Sequence, residues 1–138
     1  MGKKVKIYTD GASRGNPGRA AIAFLIIDED GNVLSKDMKT IGMATNNEAE
    51  YRAIITALES ALSISASEVS LTSDSEVVVN HLTGKYTVKA ENLKKLFKKV
   101  KELERKFSCV SYNHVRRTNP FITMVDAMVN KALDKEYI

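Results

Sequence analysis

Lys4-Val5-Lys6-Ile7-Tyr8-Thr9-Asp10, followed by Gly11-Ala12-Ser13-Arg14-Gly15-Asn16-Pro17-Gly18, is the stretch from which the fold follows. Val5, Ile7 and Thr9 alternate with Lys6, Tyr8 and Asp10, the period of a strand with two different faces. The glycine-rich run after Asp10 predicts a turn that ends the strand there. Residues 20–28 form an apolar, partly β-branched run and read as a second strand. Asp30-Gly31-Asn32 is a hairpin signal, so a third strand over residues 33–40 pairs antiparallel with the second.

The second half alternates helix and strand. Residues 46–63 carry Ala53, Ile54, Ala57, Leu58, Ala61 and Leu62 at helical spacing. Residues 68–73 read as a short strand and 75–82 as a short helix, broken by Gly84. Residues 91–107 form a long amphipathic helix with Leu93, Leu96, Phe97, Val100 and Leu103 on its core stripe. Residues 108–115 are a last strand. Residues 120–135 are a last helix, with Asn119 as cap and Pro120 at its first position. The order βββαβααβα implies an α/β class: a five-stranded mixed sheet, its first three strands antiparallel, flanked by helices. No repeat, low-complexity tract or linker interrupts the chain, so one domain over residues 1–138 is expected.

Composition narrows the function classes. The 138 residues are 43% hydrophobic and 28% charged, a globular balance. Cys109 is the only cysteine, which excludes an intrachain disulfide and a four-cysteine zinc site. The apolar run 20–27 is too short to span a membrane, and the N-terminus lacks the apolar core of a signal peptide. A cytoplasmic setting with no membrane partner is the expectation. The net charge of +4 is compatible with a polyanionic partner and says little more.

Four carboxylates stand in informative places. Asp10 closes the first strand and Asp74 the fourth. If those strands are parallel neighbours, the two acids lie side by side at the carboxyl ends, where open α/β sheets build their sites. Glu50 leads the row Ala53, Ile54, Ala57, Leu58, Ala61 and points inward. Glu48 leads the polar row Arg52, Ile55, Glu59 and points out. Asp126 sits early in the last helix between Val125 and Ala127. Converging carboxylates suit hard divalent cations, and two such ions about 4 Å apart clamp a phosphodiester. Spacing alone leaves a second reading open, in which Asp74 is a helix cap and Asp10 a turn residue.

The segments Tyr8-Thr9-Asp10-Gly11 to Gly15-Asn16-Pro17-Gly18, Thr45-Asn46-Asn47-Glu48-Ala49-Glu50, Thr72-Ser73-Asp74-Ser75 and Val125-Asp126-Ala127 run in one order over most of the chain. Together they resemble the type 1 ribonucleases H, in the compact archaeal and bacterial form. The resemblance implies the ribonuclease H-like fold. It also implies hydrolysis of the RNA strand of RNA–DNA hybrids with two Mg²⁺ or Mn²⁺ ions, leaving 5′-phosphate and 3′-hydroxyl ends. It assigns Asp10, Glu50, Asp74 and Asp126 as catalytic metal ligands. Ser13, Asn16, Asn46 and Asn47 fall on positions that read the RNA 2′-hydroxyl, and Thr45 on a phosphate contact. The expected partner is the hybrid itself, engaged by a monomer with no obligatory protein partner.

Two regions depart from the family pattern or extend it. The family's loop histidine before the last helix has no counterpart in Val115-Arg116-Arg117-Thr118-Asn119-Pro120. Arg116 or Arg117 fills that space, and an arginine contacts phosphate without shuttling protons. His114 reads as structural. Slow hydrolysis is the expectation, with a catalytically weak or inactive nucleic-acid-binding domain as the alternative. Residues 85–106 carry nine basic and three acidic side chains, a net +6. Lys85, Tyr86 and Lys89 are expected to contact substrate, and Lys98, Lys101 and Arg105 to form a solvated helix face.

Overall fold

Residues 2–135 are described by a computed structural model, so the ends of the expected domain, residues 1 and 136–138, lie outside the described residues. The elements are β1 (Lys3–Gly15), β2 (Gly18–Ile27), β3 (Val33–Ala44), α1 (Asn46–Ser63), β4 (Ala66–Ser73), α2 (Glu76–Leu82), α3 (Glu91–Glu104), β5 (Cys109–His114) and α4 (Pro120–Lys135). The expected order is thus the observed one. The sheet runs β3-β2-β1-β4-β5. β2 pairs antiparallel with β1 and β3, while β4 runs parallel to both β1 and β5.

The opening stretch differs from expectation in one respect. β1 does not stop at Asp10. It continues as a ladder with β2 through Gly11↔Ile22 and Ala12↔Ala21 to Gly15↔Gly18, leaving Asn16 and Pro17 as the turn. Glycine inside a strand often marks close backbone approach rather than a turn, and that rule wins here. β3 likewise runs past Thr40 to Ala44. Its register shifts where Ala20 faces Gly42 and Ala21 faces Thr40, and Gly42 takes φ +78. This is a β-bulge, which carries the strand past its expected end at Thr40. α3 ends at Glu104, three residues early, and Phe107 enters the core from the following turn.

The two faces of the sheet carry separate cores. Val5, Ile7, Phe24 and Ile26 meet Ile54 and Leu58 of α1 and Leu93, Val100 and Leu103 of α3. Ala21, Ala23, Leu25 and Ile27 meet Ile122, Val125, Val129 and Leu133 of α4. Each fully buried Ile or Leu contributes about 2 kcal/mol relative to exposure. Among the described residues, no helix is long and apolar enough to cross a membrane.

Lys101 does not join the expected solvated face. Its ammonium donates to the Leu82 carbonyl at 2.7 Å and pairs with Glu104 at 3.1 Å. It also lies 5.9 Å from the centre of the Tyr112 ring of β5. A cation at the carboxyl end of α2 satisfies an orphan carbonyl and suits the helix dipole. Lys98 and Arg105 are exposed, as expected.

Candidate active site

β1 and β4 pair in parallel up to Tyr8↔Thr72. Two residues further along each chain, this register sets Asp10, in the middle of β1, beside Asp74, just past the end of β4. Neither acid plays the turn or cap role that spacing left open. Ser75, not Asp74, caps α2, its Oγ accepting from Val78 N at 3.4 Å. Asp10 is inside β1 and only 3% exposed.

Glu50 reaches the same place from α1. Thr45 caps that helix: its Oγ1 accepts from Glu48 N at 3.1 Å, and Glu48 Oε1 accepts from Thr45 N at 2.8 Å. This capping box occupies Glu48 at the helix end. Glu50 is then turned toward the sheet, where its Oε1 accepts from Gly11 N at 2.7 Å. A Cβ on Gly11 would stand 2.2 Å from the Ala49 carbonyl oxygen and 2.7 Å from Glu50 N. Gly11 therefore lets α1 approach β1 closely enough for Glu50 to join Asp10. In sequence Gly11 resembles a turn residue, yet a glycine interrupting a strand pattern directly after an acid is the signal for this close approach. Gly11→Ala is expected to destabilise the fold by about 2 kcal/mol, since backbone must move to admit the methyl. Urea unfolding measures this, and an unchanged midpoint would contradict the close approach.

Ligand atoms of Asp10, Glu50 and Asp74 all lie within 4.8 Å of one another. Asp126 is not in that tight group. It lines the same cavity of about 440 Å³, close enough to Asp10 for its charge to act on that carboxyl, and Arg117 and Asn130 share the lining. α4 is held there by stacking of Phe121 on Tyr8, ring centres 4.7 Å apart, on the Asp10 face of β1. Asn119 caps α4 through Oδ1, which accepts from Phe121 N and Ile122 N.

The electrostatics are unfavourable without a cation. Burial, then the charges of Asp74 and Asp126, push the Asp10 carboxyl up to about 7. Burial, then Asp10 and Asp74, hold Glu50 well above the usual carboxylate range, against the pull of the Gly11 N–H. Asp10 Oδ2 is buried without a hydrogen-bond partner. Arg117 Nε donates to Asp74 Oδ2 at 3.1 Å from an exposed position and supplies partial compensation. A buried carboxylate oxygen left unpaired costs free energy unless a cation meets it. An all-oxygen donor set of this kind fits a hard divalent metal.

The remaining expected residues fall into three groups. Asn46 Oδ1 accepts from Ser13 N at 2.9 Å, and Asn46 N donates to Asn16 Oδ1 at 3.1 Å. Ser13, Asn16 and Asn46 thus tie the β1–β2 hairpin to the start of α1. Thr45, Asn46 and Asn47 line an adjoining cavity of about 400 Å³ that also contains Asn92, which the sequence reading missed. Lys85, Tyr86 and Lys89 stand exposed between α2 and α3, away from the carboxylates. Arg116 is exposed beyond β5. His114 ends β5 opposite Ser73 and is exposed, so it has no place in the core.

A family profile described as reverse transcriptase-like matches residues 8–132. The ribonuclease HI of Halobacterium salinarum is 41% identical over 134 residues, 96% of this chain. The crystal structure of the RNase H1 of that organism superposes with a TM-score of 0.92 at 39% identity, covering 96% of this chain and 98% of that one.

The chain belongs to the type 1 ribonuclease H family.

A second solved member of that family, LC11-RNase H1 in complex with an RNA/DNA hybrid, superposes with a TM-score of 0.90 at 37% identity, covering 97% of this chain and 99% of that one. The chain spans 66% of the length of the halobacterial ribonuclease HI. It spans 36% of a bifunctional protein of Mycobacterium tuberculosis, to which it is 38% identical over 132 residues. Within the ribonuclease H fold, this chain clamps the carboxyl half of α4 to the hairpin through Arg14, which pairs with Asp134 at 2.7 Å.

Proposed function

We propose that this protein is an endoribonuclease that hydrolyses the RNA strand of RNA–DNA hybrids, leaving 5′-phosphate and 3′-hydroxyl ends. The observation that carries the reading is the group of three carboxylates within 4.8 Å, with an unpartnered buried oxygen on the central one. Asp10, Glu50 and Asp74 would hold the divalent ions, with Asp126 completing the set from α4. Two Mg²⁺ or Mn²⁺ ions bound there would supply an activated water and stabilise charge on the phosphate oxygens. Glu50 is held for this role by the Gly11 N–H, which donates to its Oε1. Arg117 stands over Asp74, where its guanidinium can receive a phosphate oxygen.

Discrimination of RNA from DNA requires groups at the 2′-hydroxyl, which both donates and accepts. Asn46 and Asn47 line the carboxylate cavity itself. Ser13 and Asn16 fix Asn46 through the hydrogen bonds above. Thr45 caps α1 and lies beside Asn46 and Asn47 in the adjoining cavity, where it is read as a phosphate contact. Strand-labelled hybrids with end-group analysis test the reading: fragments should come from the RNA alone and carry 5′-phosphates. Fragments from the DNA strand would refute it.

Lys85 and Lys89 flank Tyr86 on an exposed segment and are read as phosphate contacts. Replacing both with Gln should make log Kd for hybrid about one to two units less steep in log salt. Fluorescence anisotropy across 50–300 mM salt (a range of order 10² mM) reads this directly. An unchanged slope would remove the two lysines from the interface.

A further inference from the structure

Tyr51 follows Glu50 in α1, and its side chain is fully buried. Its hydroxyl lies 2.9 Å from Nδ1 of His81 on α2. The two rings are nearly parallel, with centres 6.1 Å apart and 21° between planes. His81 is only 8% exposed. It also meets the ring of Tyr86 edge-on, 6.5 Å between centres and 73° between planes. Tyr86 is 49% exposed. Ring contacts through His81 thus connect the catalytic helix to the surface.

Tyr86 needs such a support. Residues 85–90 belong to no helix or strand, and all of them except Val88 are exposed. The backbone is tied at Tyr86 N, which donates to the Asn80 carbonyl at 3.0 Å, but this bond does not orient the ring. A buried histidine is also costly unless its nitrogens are satisfied, and an aliphatic residue would fill the site without that cost. Burial holds the His81 imidazole below its ordinary range, which favours the neutral ring. A neutral imidazole offers one donor and one acceptor, so Tyr51 is met in either tautomer.

We infer that His81 is a positioning residue for hybrid binding: it joins Tyr51 of the catalytic helix to Tyr86 and presents the Tyr86 ring to nucleic acid at a set distance from the carboxylates. This rests on the hybrid-cleaving reading above. An aromatic platform fixed before binding loses less conformational entropy when a base or sugar settles on it. The hydrogen bond and the ring contacts together make the α1–α2 packing and the Tyr86 orientation one unit.

The test is hybrid affinity by fluorescence anisotropy in an Asp10→Asn background, with KM and kcat measured in the otherwise unaltered chain. His81→Leu should raise Kd about five- to tenfold, of the order expected for one lost aromatic contact. KM should rise in proportion while kcat changes less than about twofold. His81→Gln, which keeps a donor and an acceptor, should recover most of the loss. Tyr86→Ala should weaken binding as much as His81→Leu, and the double variant no more than either alone. Tyr51→Phe removes one oxygen and should raise Kd in the same direction, which preserves the test if Leu at position 81 unfolds the chain. Unchanged Kd in both His81→Leu and Tyr51→Phe, with Tyr86→Ala still weakened, would overturn the inference. So would a further full loss from His81→Leu in the Tyr86→Ala background. If the parent neither binds nor cuts hybrid, the functional reading fails instead, and the two failures are distinct.

Discussion

Asp10→Asn is expected to lower hybrid cleavage by at least about 10³-fold, because several kcal/mol of charge stabilisation depends on the ligand it removes. Asn keeps the shape of the side chain and one oxygen but carries no charge. The site then loses the anion that the β1–β4 register sets beside Asp74 and that lies within reach of Glu50 and Asp126. The fold should survive, since Asp10 Oδ2 makes no hydrogen bond that the chain relies on. Steady-state cleavage of a labelled hybrid, with circular dichroism as the folding control, measures the effect. Activity within tenfold of the parent (about 1.4 kcal/mol of barrier) would remove Asp10 from the centre of the chemistry.

The same substitution should act on stability with the opposite sign. In EDTA, Asp10→Asn is expected to melt about 10 °C above the parent at pH 8, and the gap should close by about pH 4. The Asp10 carboxyl is pushed up to about 7 in the folded chain, above its unfolded value near 4. A group raised on folding contributes stability that is fully present below the unfolded value and is lost as pH rises through the folded one. The parent should therefore lose stability between about pH 4 and pH 8. Glu50, raised by burial and by Asp10, acts in the same direction. A saturating divalent cation at pH 8 should restore the parent and leave Asp10→Asn little changed. Melting curves that run parallel from pH 4 to pH 8 would mean that the buried acids are not strained by one another.

The fold was legible because its signals were local. Alternation in residues 4–10, the apolar row behind Glu50 and the Asn119-Pro120 helix start each point to one element, and each element formed. The inward choice of Glu50 over Glu48 followed from helical spacing. The structure adds the reason Glu48 is there at all, as half of the capping box.

What was not legible depends on contacts between distant segments. Gly11 reads as punctuation until α1 is seen 2.2 Å from where its Cβ would be. Lys101 reads as one of many lysines on a polar face. Its half-buried contacts depend on Leu82 and Tyr112, which arrive from other elements. His81 sits in a short helix whose sequence gives no hint of Tyr51 beneath it. Asp126 was the least determined acid by spacing, and the structure agrees, placing it on the cavity wall outside the tight group.

The central claim is metal-dependent cutting of RNA paired to DNA. One RNA sequence should be presented as an RNA–DNA hybrid and as an RNA–RNA duplex beside the matched DNA–DNA duplex, in Mg²⁺, in Mn²⁺ and in EDTA, to the parent and to Asp10→Asn. The parent should cleave the hybrid RNA strand with either metal and not in EDTA, and the variant should not cleave it at all. Hybrid cleavage that persists in EDTA or in Asp10→Asn, or cutting of the DNA–DNA duplex at the same rate, would contradict it.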